Sequence, residues 1–196
     1  MVGPGSSTPG ADGRYHAYFA EGYTGHNFEE FISILSPSSS QTVNVTFLFA
    51  DGRTMLEPIG IAANIKAVLL VNEQVGDGEA VAASLDAPDP FVAERPMYFN
   101  FAGTITGGHD AFGAQSLADT FYFAEGTTIG GFSEYLTVMN PNPAPITIDI
   151  TYYFSDGGTP STITRTINRS RLRSAPRRMA ASCSLPSGPC ISMPWA

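Results

Sequence analysis

Val43-Asn44-Val45-Thr46-Phe47-Leu48-Phe49 alternates apolar and polar residues and then meets the turn signal Ala50-Asp51-Gly52. Side chains on a strand point to opposite faces in turn, so this pattern predicts a strand with one buried face, Val43, Val45, Phe47 and Phe49, and an opposite face of Asn44, Thr46 and Leu48. The glycine supplies the positive φ that a tight hairpin needs. The pattern recurs: Ile148, Ile150, Tyr152 and Phe154 form a second apolar stripe, which ends in Asp156-Gly157-Gly158. Two hairpin strands of this kind set the fold class as β.

Working outward, further strands are expected at Tyr15 to Ala20, Glu30 to Leu35, Met55 to Ile61, Ile65 to Val71, Val81 to Leu85 and Met97 to Phe101, with Glu134 to Met139 and Thr162 to Ile167 around the second stripe. Ser36-Pro37-Ser38-Ser39 and Asn140-Pro141-Asn142-Pro143 stop the strands that precede each stripe, because proline cannot donate into a ladder. No segment sustains an apolar period of 3.6, so helix should be scarce. About seven short strands in about 90 residues predict an all-β fold: immunoglobulin-like antiparallel β-sandwich repeats, one complete and one truncated. The Cys-Trp-Cys core of antibody domains is absent, so the likeness is one of architecture.

The repetition extends beyond the stripes. Tyr18-Phe19-Ala20-Glu21-Gly22 returns 104 residues later as Tyr122-Phe123-Ala124-Glu125-Gly126, and Phe28, Glu30, Ile32, Ile34 and Pro37 are answered by Phe132, Glu134, Leu136, Val138 and Pro141. A period this long fits a domain with its own core and not a solenoid rung. The expected division is a flexible leader over 1–14, a complete module over 15–101, a Gly-rich intermodule segment over 102–120, a truncated module over 121–168 and a basic tail over 169–196. The tail, rich in Arg, Ser, Pro and Ala, has the composition of a disordered segment or of a frame-shifted translation. A half-sandwich would leave unpaired edges and an open apolar face.

Charged residues make up 14% of the chain, well below the usual quarter, so Ser, Thr, Asn and Gly must cover much of the surface. All 18 acidic residues lie at or before Asp156, against Arg14, Arg53, Lys66 and Arg95, a net −14 for that stretch; six arginines then fall between Arg165 and Arg178. An acidic body argues against nucleic acid as a partner of the repeats, since phosphate contacts need clustered Lys and Arg. The longest apolar window, Ile59 to Val71, is too short for a membrane span and holds Asn64 and Lys66.

Sequence motifs for catalysis are lacking: no nucleophile elbow, phosphate loop or His-x-x-x-His is present, so no catalytic residue and no cofactor is assigned. The metal candidates are His109, Asp110 and Glu125, with Glu94 near in sequence and Asp119 as a further oxygen donor for calcium. One histidine without a second at ligand spacing is thin support, and a loop role outweighs it. The matching pairs Glu21/Glu125 and Glu30/Glu134 point to one structural task done twice. Tyr18, Phe19, Tyr122, Phe123, Tyr152 and Tyr153 are candidates for a sugar-stacking face, with core or intermodule packing as the stronger alternative.

Tyr122-Phe123-Ala124-Glu125-Gly126 with the downstream Gly131-Phe132-Ser133-Glu134-Tyr135-Leu136, and Glu94-Arg95-Pro96-Met97-Tyr98-Phe99-Asn100 with Gly107-Gly108-His109-Asp110, resemble repeat modules of large secreted actinobacterial and related bacterial surface proteins, whose function is unknown. The resemblance covers about Tyr15 to Ile167. It implies a non-enzymatic extracellular structural or adhesive module that spaces or presents other domains, with neighbouring repeat modules as partners. It implies an extracellular or cell-surface location too, with the export signal in a missing upstream part. The alternative is a carbohydrate-binding or cell-wall-binding module attached to a wall enzyme, with cell-wall glycan as the partner.

Overall fold

The stripe that fixes the fold class behaves as its pattern dictates: Val43, Val45, Phe47 and Phe49 are buried, while Asn44 and Thr46 are only half-buried. Leu48 departs from the alternation, being buried as well. The computed structural model describes residues 8–101, 103–124, 126–127, 134–168, 180–184 and 191–194, the last two stretches by their backbone. It divides into two units, Met1–Ser116 and Leu117–Ala196.

The first unit contains β1 (Tyr15–Phe19), β2 (Phe28–Ser36), β3 (Gln41–Phe49), β4 (Thr54–Ile61), β5 (Ile65–Leu70), the one-turn helix α1 (Val71–Val75), β6 (Val81–Ala87), β7 (Val92–Phe101) and β8 (Ile105–Phe112). These make two four-stranded sheets, ordered β1-β6-β3-β4 and β5-β2-β7-β8, with every pairing antiparallel. Phe19, Val45, Phe47 and Leu85 from the first sheet and Ile32, Ile34 and Met97 from the second have essentially no exposure and form the sandwich core. At about 25 cal/mol per Å² of apolar surface, such side chains each contribute on the order of 2 kcal/mol. The architecture is the all-β sandwich the alternation predicts, with a strand order of its own.

One expectation needs correction. The Gly-rich stretch over 102–120, read as intermodule, supplies β8 to the second sheet, and Ala114 exchanges backbone hydrogen bonds of 2.8 and 2.9 Å with Tyr18. The first unit thus runs past residue 101 to Ser116. Glycine weakens a strand pattern on paper, but here it makes room for neighbours. A Cβ on Gly107 would come within 2.9 Å of the Phe99 ring, and one on Gly108 within 3.0 Å of the Tyr98 ring.

The second unit contains β9 (Thr120–Tyr122), β10 (Leu136–Met139), β11 (Ile146–Tyr153), β12 (Ser161–Ile167), β13 (Ala180–Ser184) and β14 (Ile191–Pro194). One sheet has the order β12-β11-β13-β9, and β10 pairs with β14. Its core joins Leu136, Val138, Ile146, Ile148, Ile150, Tyr152 and Ile167. The order β9-β13-β11-β12 repeats β1-β6-β3-β4 of the first unit. Backbone from the tail therefore occupies the ladder position between β11 and β9, although its side-chain pattern predicts no strand. Ladder bonds need N–H and C=O groups, which any non-proline residue brings. The remainder of the tail expectation, over 169–179, 185–190 and 195–196, lies outside the described residues.

Candidate functional site

The second sheet of the first unit carries a grouping of ionisable side chains, and period two sorts them onto its two faces. Glu30 on β2, Arg95 on β7 and His109 on β8 face inward, while their sequence neighbours Glu29, Glu94 and Asp110 face outward. Register brings them together: Glu30 stands opposite Met97, which in turn stands opposite His109, and Arg95 lies two residues along the same face of β7.

On the inner face Arg95 is fully buried. Its Nη1 donates to the Glu21 carbonyl oxygen, and its Nη2 lies 3.7 Å from Glu21 Oε2 and 3.4 Å from His109 Nδ1. A guanidinium has no acceptor, so Nδ1 accepts and the ring proton sits on Nε2. Burial lowers the His109 pKa, and Arg95 lowers it further. Burial also pushes the Glu30 carboxyl up to about 8, against the pull of Arg95, with Glu21 adding repulsion. Glu30 is thus protonated at neutral pH, and Glu21 supplies the charge that balances Arg95.

The position of Glu30 is fixed from both ends. Its backbone N–H donates to Asn72 Oδ1 at 3.0 Å, and Asn72 Nδ2 donates to the Phe28 carbonyl at 2.9 Å. Its carboxyl lies against Gly22, where a Cβ would run into both carboxyl oxygens and come within 2.6 Å of the Val81 carbonyl. The second copy repeats this contact, since a Cβ on Gly126 would run into the carboxyl of Glu134. The recurring Glu-Gly and the glutamate eight residues after its glycine are one packing unit, used twice.

The outer face differs. Tyr98 is 55% exposed, meets Phe31 edge to face at 6.1 Å, and has Glu29 opposite on β2 and Gly108 opposite on β8. A shallow cleft of about 310 Å³ is lined by Gly25 to Glu29, Leu70, Asn72 and Asp77. Thr24 is buried, and its Oγ1 donates to the Gly76 carbonyl at 2.6 Å and accepts from Glu79 N–H at 3.1 Å.

Of the metal candidates, His109 and Asp110 are successive residues of β8 and point to opposite faces, so they do not converge. Glu94 is separated from His109 in the same way, and Glu125 lies outside the described residues. Among the described residues no three His, Cys, Asp or Glu side chains group closely enough to hold a metal ion. Of the aromatic candidates, Tyr18, Phe19 and Tyr152 are buried, Phe123 packs against the second core, and Tyr122 and Tyr153 are exposed. The chain returns over β1 at Gly113, against Ala17 and Phe19, while the Tyr18 ring stacks on His16. No helix among the described residues is long and apolar enough to cross a membrane. Arg95 received no role in the sequence reading; the available signal was a rare cation set between alternating apolar residues, Ala93 and Met97.

No family model matches the chain, and no curated protein matches it. Among solved structures it is similar to the crystal structure of Thermotoga maritima 1070, at 13% identity and a TM-score of 0.47, over 52% of this chain and 94% of that one.

Proposed function

We propose that the chain is a non-enzymatic structural or adhesive module of a cell-surface array, spacing or presenting other domains of a longer protein. The supporting observation is the use made of its repeated polar residues. Glu30 and Glu134 both lie against the glycine of their own Glu-Gly pair, so this recurring carboxyl is spent on internal packing, and the recurring Asp51 and Asp156 each accept from a backbone N–H of their own turn. A recognition or catalytic repeat would turn its recurring polar groups outward to meet a ligand. The acidic body, with little surface charge of the opposite sign, suits a module that stays apart from anionic polymers.

A pull-down of the full chain on peptidoglycan and on a panel of neutral cell-wall glycans tests this reading. A spacer leaves the chain in the unbound fraction on every matrix. Retention that a soluble glycan competes away would replace it with the wall-binding alternative.

A further inference from the structure

The outer face of β2, β7 and β8 presents aromatic rings and carboxylates together. Its outward positions are Glu29, Phe31, Ser33 and Leu35 on β2, Val92, Glu94, Pro96 and Tyr98 on β7, and Gly108, Asp110 and Phe112 on β8. None of these is basic; Lys66 on β5 shares the face opposite Leu35, at the far end of β2 from Glu29 and Tyr98. Tyr98, Phe112 and Leu35 on this face are exposed at 55%, 52% and 37%.

The posture of Tyr98 gives the face its chemistry. Tyr98 Cδ1 lies 3.0 Å from where a Gly108 Cβ would stand, so the ring leans across the glycine instead of standing off the sheet. The ring packs over Gly108 while the residue as a whole stays 55% exposed. Glu29 is the cross-strand partner of Tyr98, and Asp110, opposite Pro96, is its diagonal neighbour on β8. Such neighbours lie within reach of a long side chain. The cleft that adjoins Glu29 adds Asp77.

An aromatic face carries negative quadrupole charge, and carboxylates around it add to the same sign. A planar guanidinium meets both demands, stacking on the ring while its edge donates to a carboxylate. An anionic partner is repelled by all four groups, and a neutral sugar gains nothing from the charge. We propose that the outer face around Tyr98 is a docking surface for a basic peptide segment, one of whose arginine side chains stacks on Tyr98 and pairs with Glu29 and Asp110. This goes beyond the spacer reading and does not depend on it, since glycan retention and peptide binding are measured separately.

The test is titration of the full chain with an acetylated, amidated Gly-Arg-Gly-Arg-Gly peptide, using its citrulline counterpart as the uncharged isostere. The arginine peptide is expected to bind and the citrulline peptide to bind at least tenfold more weakly. Tyr98→Leu, which retains apolar cover over Gly108, should weaken arginine-peptide binding about tenfold. Glu29→Gln and Asp110→Asn should each weaken it several-fold, while Glu57→Gln on β4 of the other sheet leaves it unchanged. Circular dichroism of each variant checks that the fold is retained. Equal losses for Glu57→Gln and Glu29→Gln, or full binding by Tyr98→Leu, would reduce the effect to the attraction of an acidic body and overturn the proposal. Binding of a neutral cello-oligosaccharide that Tyr98→Leu abolishes, with no arginine-peptide binding, would also overturn it, in favour of a sugar platform.

Discussion

The two faces of the β5-β2-β7-β8 sheet divide three pairs of sequence-adjacent ionisable residues between them. Glu29 is exposed and Glu30 buried; Glu94 is half-buried and Arg95 fully buried; Asp110 is exposed and His109 half-buried. Each pair differs by one position in sequence and by the whole thickness of the sheet in environment. Glu29 and Glu30 are the same residue type, so strand phase alone separates their environments.

The sharpest way to break this comparison is at Arg95. Removing Arg95 takes the counter-charge from the Glu21 carboxylate and a donor from the Glu21 carbonyl, so Arg95→Ala should destabilise the first unit by about 3–5 kcal/mol. Its neighbour Glu94, on the other face, should cost less than about 0.5 kcal/mol when changed to Gln. Urea denaturation of the full chain, followed by tyrosine fluorescence, reads both. Equal small losses would mean that the inner cluster contributes nothing to stability.

Next in size is a pH effect that belongs to the inner face. The folded Glu30 carboxyl titrates at about 8, far above its ordinary value of 4.5, because burial penalises its charged form. The folded state thus holds a proton that the unfolded state releases, and stability declines as pH rises from about 4.5 to about 8. The slope is on the order of 1 kcal/mol per pH unit. His109 acts in the opposite direction: its lowered pKa keeps it neutral in the fold, so stability falls as pH drops below its ordinary 6.5. Glu30→Gln should flatten the upper limb and leave the lower one. A wild-type unfolding curve with no decline between pH 5 and pH 8 would remove the buried, protonated Glu30.

The strands and the cluster differ in how much of each was legible in the sequence. β3 and β11 were readable because single-faced burial writes itself as alternation. β8 was not, because Ile105-Thr106-Gly107-Gly108-His109-Asp110-Ala111-Phe112 gives up two side chains to let Phe99 and Tyr98 lie over it. The pairing of Glu30 with Glu134 was visible as repetition, but its cause, contact with a glycine eight residues earlier, is a three-dimensional fact. His109 and Asp110 looked convergent as neighbours in sequence, and a β-strand is the conformation that separates neighbours. β13 was missed because a ladder is filled by backbone, on which composition is silent.

The Gly22 contact allows the two copies to be compared by a single methyl group. Gly22→Ala drives a Cβ into the Glu30 carboxyl and to within 2.6 Å of the Val81 carbonyl. Backbone on one side cannot yield, so a cost of about 1–3 kcal/mol is expected. Gly126→Ala meets only the Glu134 side chain among the three nearest atoms, and a glutamate can swing aside. The second substitution should accordingly cost less than the first. Thermal denaturation of both variants ranks them, and a larger loss for Gly126→Ala would show that Glu134 is the more rigidly held.

The smallest expected effect concerns Glu29, one residue from a buried carboxyl. Glu29→Gln removes a charge from a face where Asp110 and Glu94 already repel it, and the side chain is exposed. Exposed like charges at such separations are largely screened at physiological ionic strength. Stability should therefore change by less than about 0.5 kcal/mol and, if anything, rise. Measured at low salt the rise should grow, because screening is then weaker. A loss of more than about 1 kcal/mol would mean that Glu29 is held in a structural contact and that the outer face is part of the framework, which would remove the distinction between the two faces from which their chemistry was inferred.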